Sequence, residues 1–565
     1  MRRKWTLLLA LGLLLSLFLV ACGGNDDAAD NAGDSEGNDD ATESEENSSD
    51  ENVLNFTNGD QIPTMDSSMA TDEYAFQFLG ATMEGLYRLG EDGEPVEGIA
   101  EDHEESEDGL TWTFDLRDDA EWSNGEPVTA HDFVYAWQRA VDPDTGSEYG
   151  PYMMEGVIKN ASEVSSGDKD VDELGVKAED DHTLVVELEA PVAYFESLTT
   201  FGTFLPMNEE FVEEQGDSYA QDSDSLLYNG PFVMDDWEST SDSWNLVKNE
   251  DYWDADTVEL EKMTYEVVKD PQTAVDLYES GKVDRAGLSS DLVDAYSTHD
   301  DYETVPQTSV FHIKMNQTRN EALENTNIRA AIARAFDKQA MVDEILNNGS
   351  TVSNGLIPKE FVNMPDSGED FRDVNGDMIE YNVDEAKEYW EKGLEELGTD
   401  SIELEFLAGD SETAKTSNEY LVNQLESNLE GLDLTLKQVP FEQLIDLQTD
   451  MDYDLLLTGW GPDYLDPYTF LSLWVTDGGN NEMGYSNEEY DELLEETMSG
   501  DIANDNDARY ENFLEAEKIL FEDAAIAPVY QKSLALLVSP KVEGVFVNPF
   551  GPTYEYKWSS VGSEE

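Results

Sequence analysis

The chain has 565 residues, more than one hydrophobic core accommodates, and its 11 Trp, 25 Tyr and 22 Phe mark packed protein organised in two or three units rather than a disordered polymer. Its 129 Asp+Glu face 30 Lys+Arg, a formal charge of −99, and such a surface repels a phosphate backbone, which excludes nucleic acid as a partner. The acids are spread along the whole chain, so they read as a solvated shell suited to high salt; capture of cations is the alternative reading.

Arg2, Arg3 and Lys4 precede an apolar run from Trp5 to Ala21, short for a membrane span and of the right length for a signal peptide. The run stops at Cys22, the one cysteine of the chain. Leu19, Val20, Ala21 and Cys22 resemble the bacterial lipobox, in which the thiol receives diacylglycerol and becomes the new N-terminus; the competing reading is a cysteine inside an uncleaved anchor helix. Two acyl chains give the durable attachment that one does not. From Gly23 to about Asn52 the chain holds no basic and no bulky apolar residue, so it reads as an extended acidic tether. With its cysteine on lipid, the protein has no disulfide framework.

Folded structure is expected from Val53. Val53 to Phe56 reads as a strand entering a loop at Gly59, Asp60 and Pro63, and a helix follows over about 72–83. Thr111, Trp112, Thr113, Phe114, Asp115 and Leu116 alternate as a strand with one buried face must, and Asn124-Gly125 turns the chain. Thr129 and Asp132 have the spacing of a capping box ahead of a helix with Phe133, Val134, Trp137 and Val141 on one stripe. Farther on, 384–397 places Ala386, Trp390, Leu394 and Leu397 on one helical face closed by Gly398. Ile402, Leu404 and Phe406 alternate, a helix covers about 412–429, and Leu432, Leu434 and Leu436 alternate again, a βαβ unit. The apolar strand Tyr453 to Thr458 then leads into Gly459-Trp460-Gly461-Pro462-Asp463-Tyr464-Leu465-Asp466-Pro467. This puts the Asp463 carboxylate where ligands of open α/β sheets bind, with Gly459 and Gly461 allowing close backbone approach.

Metal and catalytic patterns are absent from the sequence. The five histidines show no HExxH spacing, and there is no GxSxG elbow or P-loop. Asp373, Asn375, Asp377 and Glu380 hint at a calcium loop, but Gly376 falls one place too early for an EF-hand. No catalytic residue, metal ligand or cofactor is assigned. A lipid-anchored hydrolase using paired carboxylates stands as the competing function, since so many acids make accidental pairs inevitable.

The stretch GLTWTFDLRDDAEWSNGEPVTAHDFVYAWQR within 100–139 is similar to the family 5 extracellular solute-binding proteins of ABC importers, in their oligopeptide-binding lipoprotein branch. So are Tyr228-Asn229-Gly230-Pro231-Phe232, the run from Asn327 to Asp337, Gly459 to Phe470, and Ala527 to Tyr530, which extends the resemblance over nearly everything after Val53. It implies an α/β, two-lobed periplasmic-binding-protein-like fold of type II, hinge-connected, with an extra subdomain on the N-terminal lobe. Lobe I is expected at 53–73, 200–308 and 530–565, the extra subdomain at 74–199, and lobe II at 309–529 behind a signal peptide at 1–21 and a tether at 22–52. Hinge-crossing strands are expected near 308–315 and 527–537.

The resemblance implies a monomeric receptor that captures an oligopeptide outside the cell and delivers it to the permease and ATPase of an ABC transporter. Dipeptides, nickel chelates, oligosaccharides or a signalling peptide are alternatives, because one fold serves many solutes. Asp463 matches the family position that receives the peptide ammonium, with a cap for the turn beside Pro462 as its other reading. Backbone around Gln61, Ile62 and Pro63 and from Gly459 to Gly461 would pair with the peptide main chain, Pro63 through its carbonyl alone. Trp460, Tyr464, Tyr149 and Tyr152 are candidates to line side-chain pockets. Asp466 reads as structural. No residue is assigned to the peptide carboxy terminus, for which Arg285, Lys314 and Arg372 are the basic candidates.

Overall fold

The computed structural model describes residues 52–91, 93–192, 194–498, 502–503 and 505–562. The leader, Cys22 and the acidic segment up to residue 51 lie outside them.

Two lobes carry the fold. In the first, strands Val53–Asn58, Lys262–Val267, Ser243–Lys248 and Phe232–Asp235 form a sheet in that order, the first pair parallel and the others antiparallel. A second sheet, in the order Ala100–Glu105, Thr111–Leu116, Thr183–Glu187, Val176–Asp180, is antiparallel throughout. Its alternation is physical: Trp112, Phe114 and Leu116 are buried while Thr111, Thr113 and Asp115 point away. Both sheets share one hydrophobic core that runs from Leu54 through Phe114 and Trp137 to Tyr265. The helix Ala130–Val141 packs into it behind the predicted capping box, in which Thr129 N–H donates to Asp132 Oδ2 at 2.7 Å.

The second lobe has its own core, from Val310 through Ile332 and Trp474 to Tyr530. Its helix Val383–Leu397 is capped by Asn382, whose side chain accepts from Glu385 N–H, and ends at Gly398 in the left-handed region, φ 68°. Strands Ile402–Gly409 and Leu432–Val439 pair in parallel around the helix Glu412–Asn428. Leu455–Trp460 lies parallel on the other side of Ile402–Gly409. The carboxyl ends of all three strands therefore reach one edge of the sheet.

Two long antiparallel strands, Tyr302–Met315 and Ile526–Val538, belong to both lobes. At one end Tyr302–Pro306 pairs with Ser533–Leu537, beside Arg285–Leu288; at the other, Val310–Lys314 pairs with Ile526–Gln531, beside Leu455–Trp460. The register shifts between Pro306 and Val310, where Pro306 has no N–H for the ladder. The two expected crossing segments fall within these strands.

Candidate functional site

The strand Leu455–Trp460 runs two residues farther than its apolar stretch suggests, because Gly459 and Trp460 continue the antiparallel ladder opposite Phe311 and Val310. A Cβ on Gly459 would stand 2.6 Å from the Phe311 ring, and one on Gly461 2.9 Å from Ser309 Oγ. These glycines admit Phe311 and Ser309. The opposite edge is open: only Leu455 and Leu456 pair with Ile402–Gly409, leaving the backbone from Leu457 onward unpaired on that side. In the first lobe, Gln61, Ile62 and Pro63 lie outside any helix or strand. The Gln61 N–H donates to Asp60 Oδ1 at 3.0 Å, and no other backbone group of these three residues has a partner among the described residues. Ile62 itself is 0% exposed. The Gln61 side chain donates to Asp242 at 2.9 Å.

Asp463 follows the strand and is 6% exposed. Its N–H donates to Thr469 Oγ1 at 3.1 Å, which fixes the loop. Its Oδ2 accepts from the hydroxyl of Tyr152, 3.2 Å away, on the helix Tyr149–Met154 of the first lobe. The same hydroxyl lies 3.1 Å from the Thr469 carbonyl. Burial pushes the Asp463 carboxyl up to about 8, against the Tyr152 hydrogen bond, which favours the charge. No cation is paired with it among the described residues, so a cation brought from outside would find an acceptor already in place.

Aromatic rings close the cleft around it. Trp460 lies parallel to Tyr149 at 6.2 Å and edge-on to Tyr152 at 5.8 Å. Tyr464 instead stacks on Tyr194 of the first lobe at 4.8 Å, with the ring planes 3° from parallel. Asp466 accepts from both terminal nitrogens of Arg509, at 3.0 and 3.2 Å, and from Tyr468 N–H at 3.0 Å. Within the motif Asp466 is thus paired with Arg509 and Tyr464 with a ring of the first lobe, whereas Asp463 has hydrogen bonds to Tyr152 and Thr469 but no ion pair among the described residues.

The three basic candidates for a ligand carboxylate are all engaged. Arg285 lies between the rings of Phe56 and Tyr554, at 4.6 and 4.0 Å; Lys314 pairs with Glu482 and Arg372 with Glu517. In the calcium-like segment Asp373 pairs with Lys359 at 3.0 Å, Asn375 donates to Glu517 and Asp377 accepts from Asn354. Their side chains turn to separate partners. Residues the sequence reading passed over include Thr469, Tyr194 and Lys269. The last joins the lobes, reaching Asp60 at 3.0 Å and Asp410 at 2.8 Å.

Residues 94–482 match the family described as bacterial extracellular solute-binding proteins, family 5 Middle. The structure is similar to that of Listeria monocytogenes OppA bound to peptide, with TM-score 0.88 and 45% identity over 91% of this chain and 100% of that one. The dipeptide-binding protein of Lactococcus lactis is 32% identical over 522 residues, 90% of this chain and 94% of that protein. The Escherichia coli murein tripeptide binding protein MppA matches with TM-score 0.82 at 27% identity, over 91% of this chain and 99% of that one. An unliganded open form of MppA, also 27% identical, covers 91% and 98% and reaches only 0.59. With identity unchanged, this structure is more similar to the former MppA structure than to the open form. On sequence and structure together, the chain belongs to the family 5 extracellular solute-binding proteins of bacteria.

Proposed function

We propose that this protein is a non-enzymatic receptor that closes its lobes around an oligopeptide and hands it to the permease and ATPase of an ABC transporter. The observation that carries this reading is Asp463: a carboxylate buried between the lobes, held by Tyr152 and Thr469 and without a cation among the described residues. A peptide ammonium supplies the missing charge, and closure removes water from the pair, which strengthens it. The open backbone edges at Gln61–Pro63 and beyond Leu456 suit an added strand, whose main-chain groups are the same in every peptide. Trp460, Tyr149 and Tyr152 would flank its side chains. The peptide-bound Listeria relative supports the same ligand class.

The receptor acts at the extracellular face of the cell membrane, held there by diacylglycerol on Cys22 through the acidic tether. Among the described residues no helix is long and apolar enough to cross a membrane. Native mass spectrometry of freshly purified protein tests the reading. Masses of intact copurified peptides, exchangeable for added free-amine peptides that are recovered uncleaved, are expected. Cleaved peptide, or exclusive recovery of a non-peptide solute, would overturn it. For the anchor, radiolabelled palmitate should enter the wild-type chain and not Cys22→Ser.

A further inference from the structure

The open edge of the strand Leu455–Trp460 has a definite set of hydrogen-bonding positions. Asn316 N–H donates to the Asp454 carbonyl at 2.9 Å, in register with the ladder that sets Met315 opposite Leu455 and Val310 opposite Trp460. Bonded pairs alternate along an antiparallel ladder, so Leu456, Thr458 and Trp460 point their backbone groups at Tyr302–Met315. Those of Leu457 and Gly459 point at the open edge, as do those of Gly461, which still lies against Ser309.

This edge opens where two strands part. Ile402–Gly409 pairs with Leu455–Trp460 at Phe406 and Leu407 only, then stays with Leu432–Val439 through Gly409. A strand that starts at Asp463 and runs back along the edge therefore has room for about five residues before it enters the fork. Asp410 is the next residue of the diverging strand, and Lys269 reaches it from the first lobe at 2.8 Å. Lys269 follows Lys262–Val267, whose parallel partner Val53–Asn58 leads into Asp60 and Gln61. Asp60 shares the same ammonium at 3.0 Å, and the Gln61 side chain donates to Asp242. One cation thus answers two carboxylates, with a third held one residue along. The helix Glu412–Asn428 also begins here, but Ser411 caps it and Glu412 sets another acid in its first turn, so its dipole is already answered.

The two ends of the edge are therefore unlike. Asp463 suits a positive group, whereas a carboxylate at the fork meets an excess of negative charge, and Arg285, Lys314 and Arg372 are engaged elsewhere. We propose that Asp410 is a specificity residue that turns away peptides ending at the fork, so that the ligands of this protein are oligopeptides whose chain continues past Asp410 and carries its carboxylate into solvent. The inference rests on the peptide-binding reading above. Lys269 is 31% and Asp410 39% exposed, which leaves the chain a way out, and an ion pair so exposed parts easily.

The test is calorimetric titration, in about 0.15 M NaCl, with free-amine alanine-based pentapeptides and nonapeptides, each as carboxylate and as carboxamide. The pentapeptide amide should bind about fivefold more tightly than the acid, and the two nonapeptides should agree within about twofold. The net charge of the protein favours the amide at both lengths, so the difference between lengths isolates the fork. Asp410→Asn should bring the pentapeptide pair within about twofold and leave the nonapeptides and the melting temperature unchanged. Lys269→Gln, which leaves both acids without their cation, should widen the pentapeptide gap. The inference is overturned if the pentapeptide acid binds as tightly as its amide, if the nonapeptides show the same gap, or if the gap survives Asp410→Asn. Any of these results with peptides still bound overturns the inference alone; binding of none overturns the peptide reading as well.

Discussion

Replacing Asp463 with asparagine keeps the volume and an acceptor for Tyr152 but removes the charge. The shift of this carboxyl from 3.8 to about 8 on burial corresponds to roughly 5 to 6 kcal/mol against holding the charge without a cation. A peptide ammonium has to offset that cost, and deleting one partner of a buried charge pair typically loses about 2 to 5 kcal/mol. Asp463→Asn should therefore weaken a free-amine peptide by about 30-fold to several thousandfold. The N-acetylated form of the same peptide brings no charge and should change by less than about threefold. Calorimetric titration of both peptides against both proteins gives the four affinities. Equal losses for the two peptides would remove Asp463 from ammonium binding and place its effect in loop structure.

Closing the cleft without ligand should be coupled to proton uptake. In the open form Asp463 is solvated near its ordinary value, whereas in the closed form it sits near 8, so the closed form binds more protons between about pH 4 and 8 and gains stability as pH falls. The peptide-free protein should show a smaller radius of gyration in X-ray scattering at pH 5 than at pH 8.5, and Asp463→Asn should lose that difference; an equal response in the variant would assign it to other acids. Lys269→Gln breaks the link to Asp60 and Asp410, but at 31% side-chain exposure the pair is screened, so affinity should fall by no more than about fivefold in low salt and not at all in about 1 M NaCl. Arg372→Met leaves Glu517, 0% exposed, without its cation and should cost about 3 to 5 kcal/mol in urea unfolding; a loss under about 1 kcal/mol would mean that Asn375 and the Leu356 and Ile357 N–H groups satisfy the acid alone. The unfolding temperature should rise with NaCl as self-repulsion within a chain of charge −99 is screened, and greater stability in low salt would reject a salt-adapted surface.

Elements that stand on local patterns were readable from sequence. Trp112 and Phe114 alternate because one face of their strand is buried, and Gly398 ends its helix because that position needs the left-handed region. The position of Asp463 at the sheet edge followed from one apolar strand and the turn after it. What could not be read was the choice of partners across the fold. Arg372 and Lys314 were open cations in the sequence, and the fold commits both to acids far along the chain. Gly459 and Gly461 suggested room for a ligand, yet the nearest claimants to that room are Phe311 and Ser309. Tyr464 gave no sign that it would meet Tyr194, since a stack between lobes exists only when they close.

The strands Tyr302–Met315 and Ile526–Val538 have a consequence for biogenesis. Each completes the sheet at both ends of the hinge, and they come from distant parts of the chain. The second is made late, so during synthesis both lobes lack a strand and the slow, non-local pairing that finishes them waits for it. A chain built this way stays threadable until almost all of it has emerged, which suits a protein that must cross a membrane before it folds.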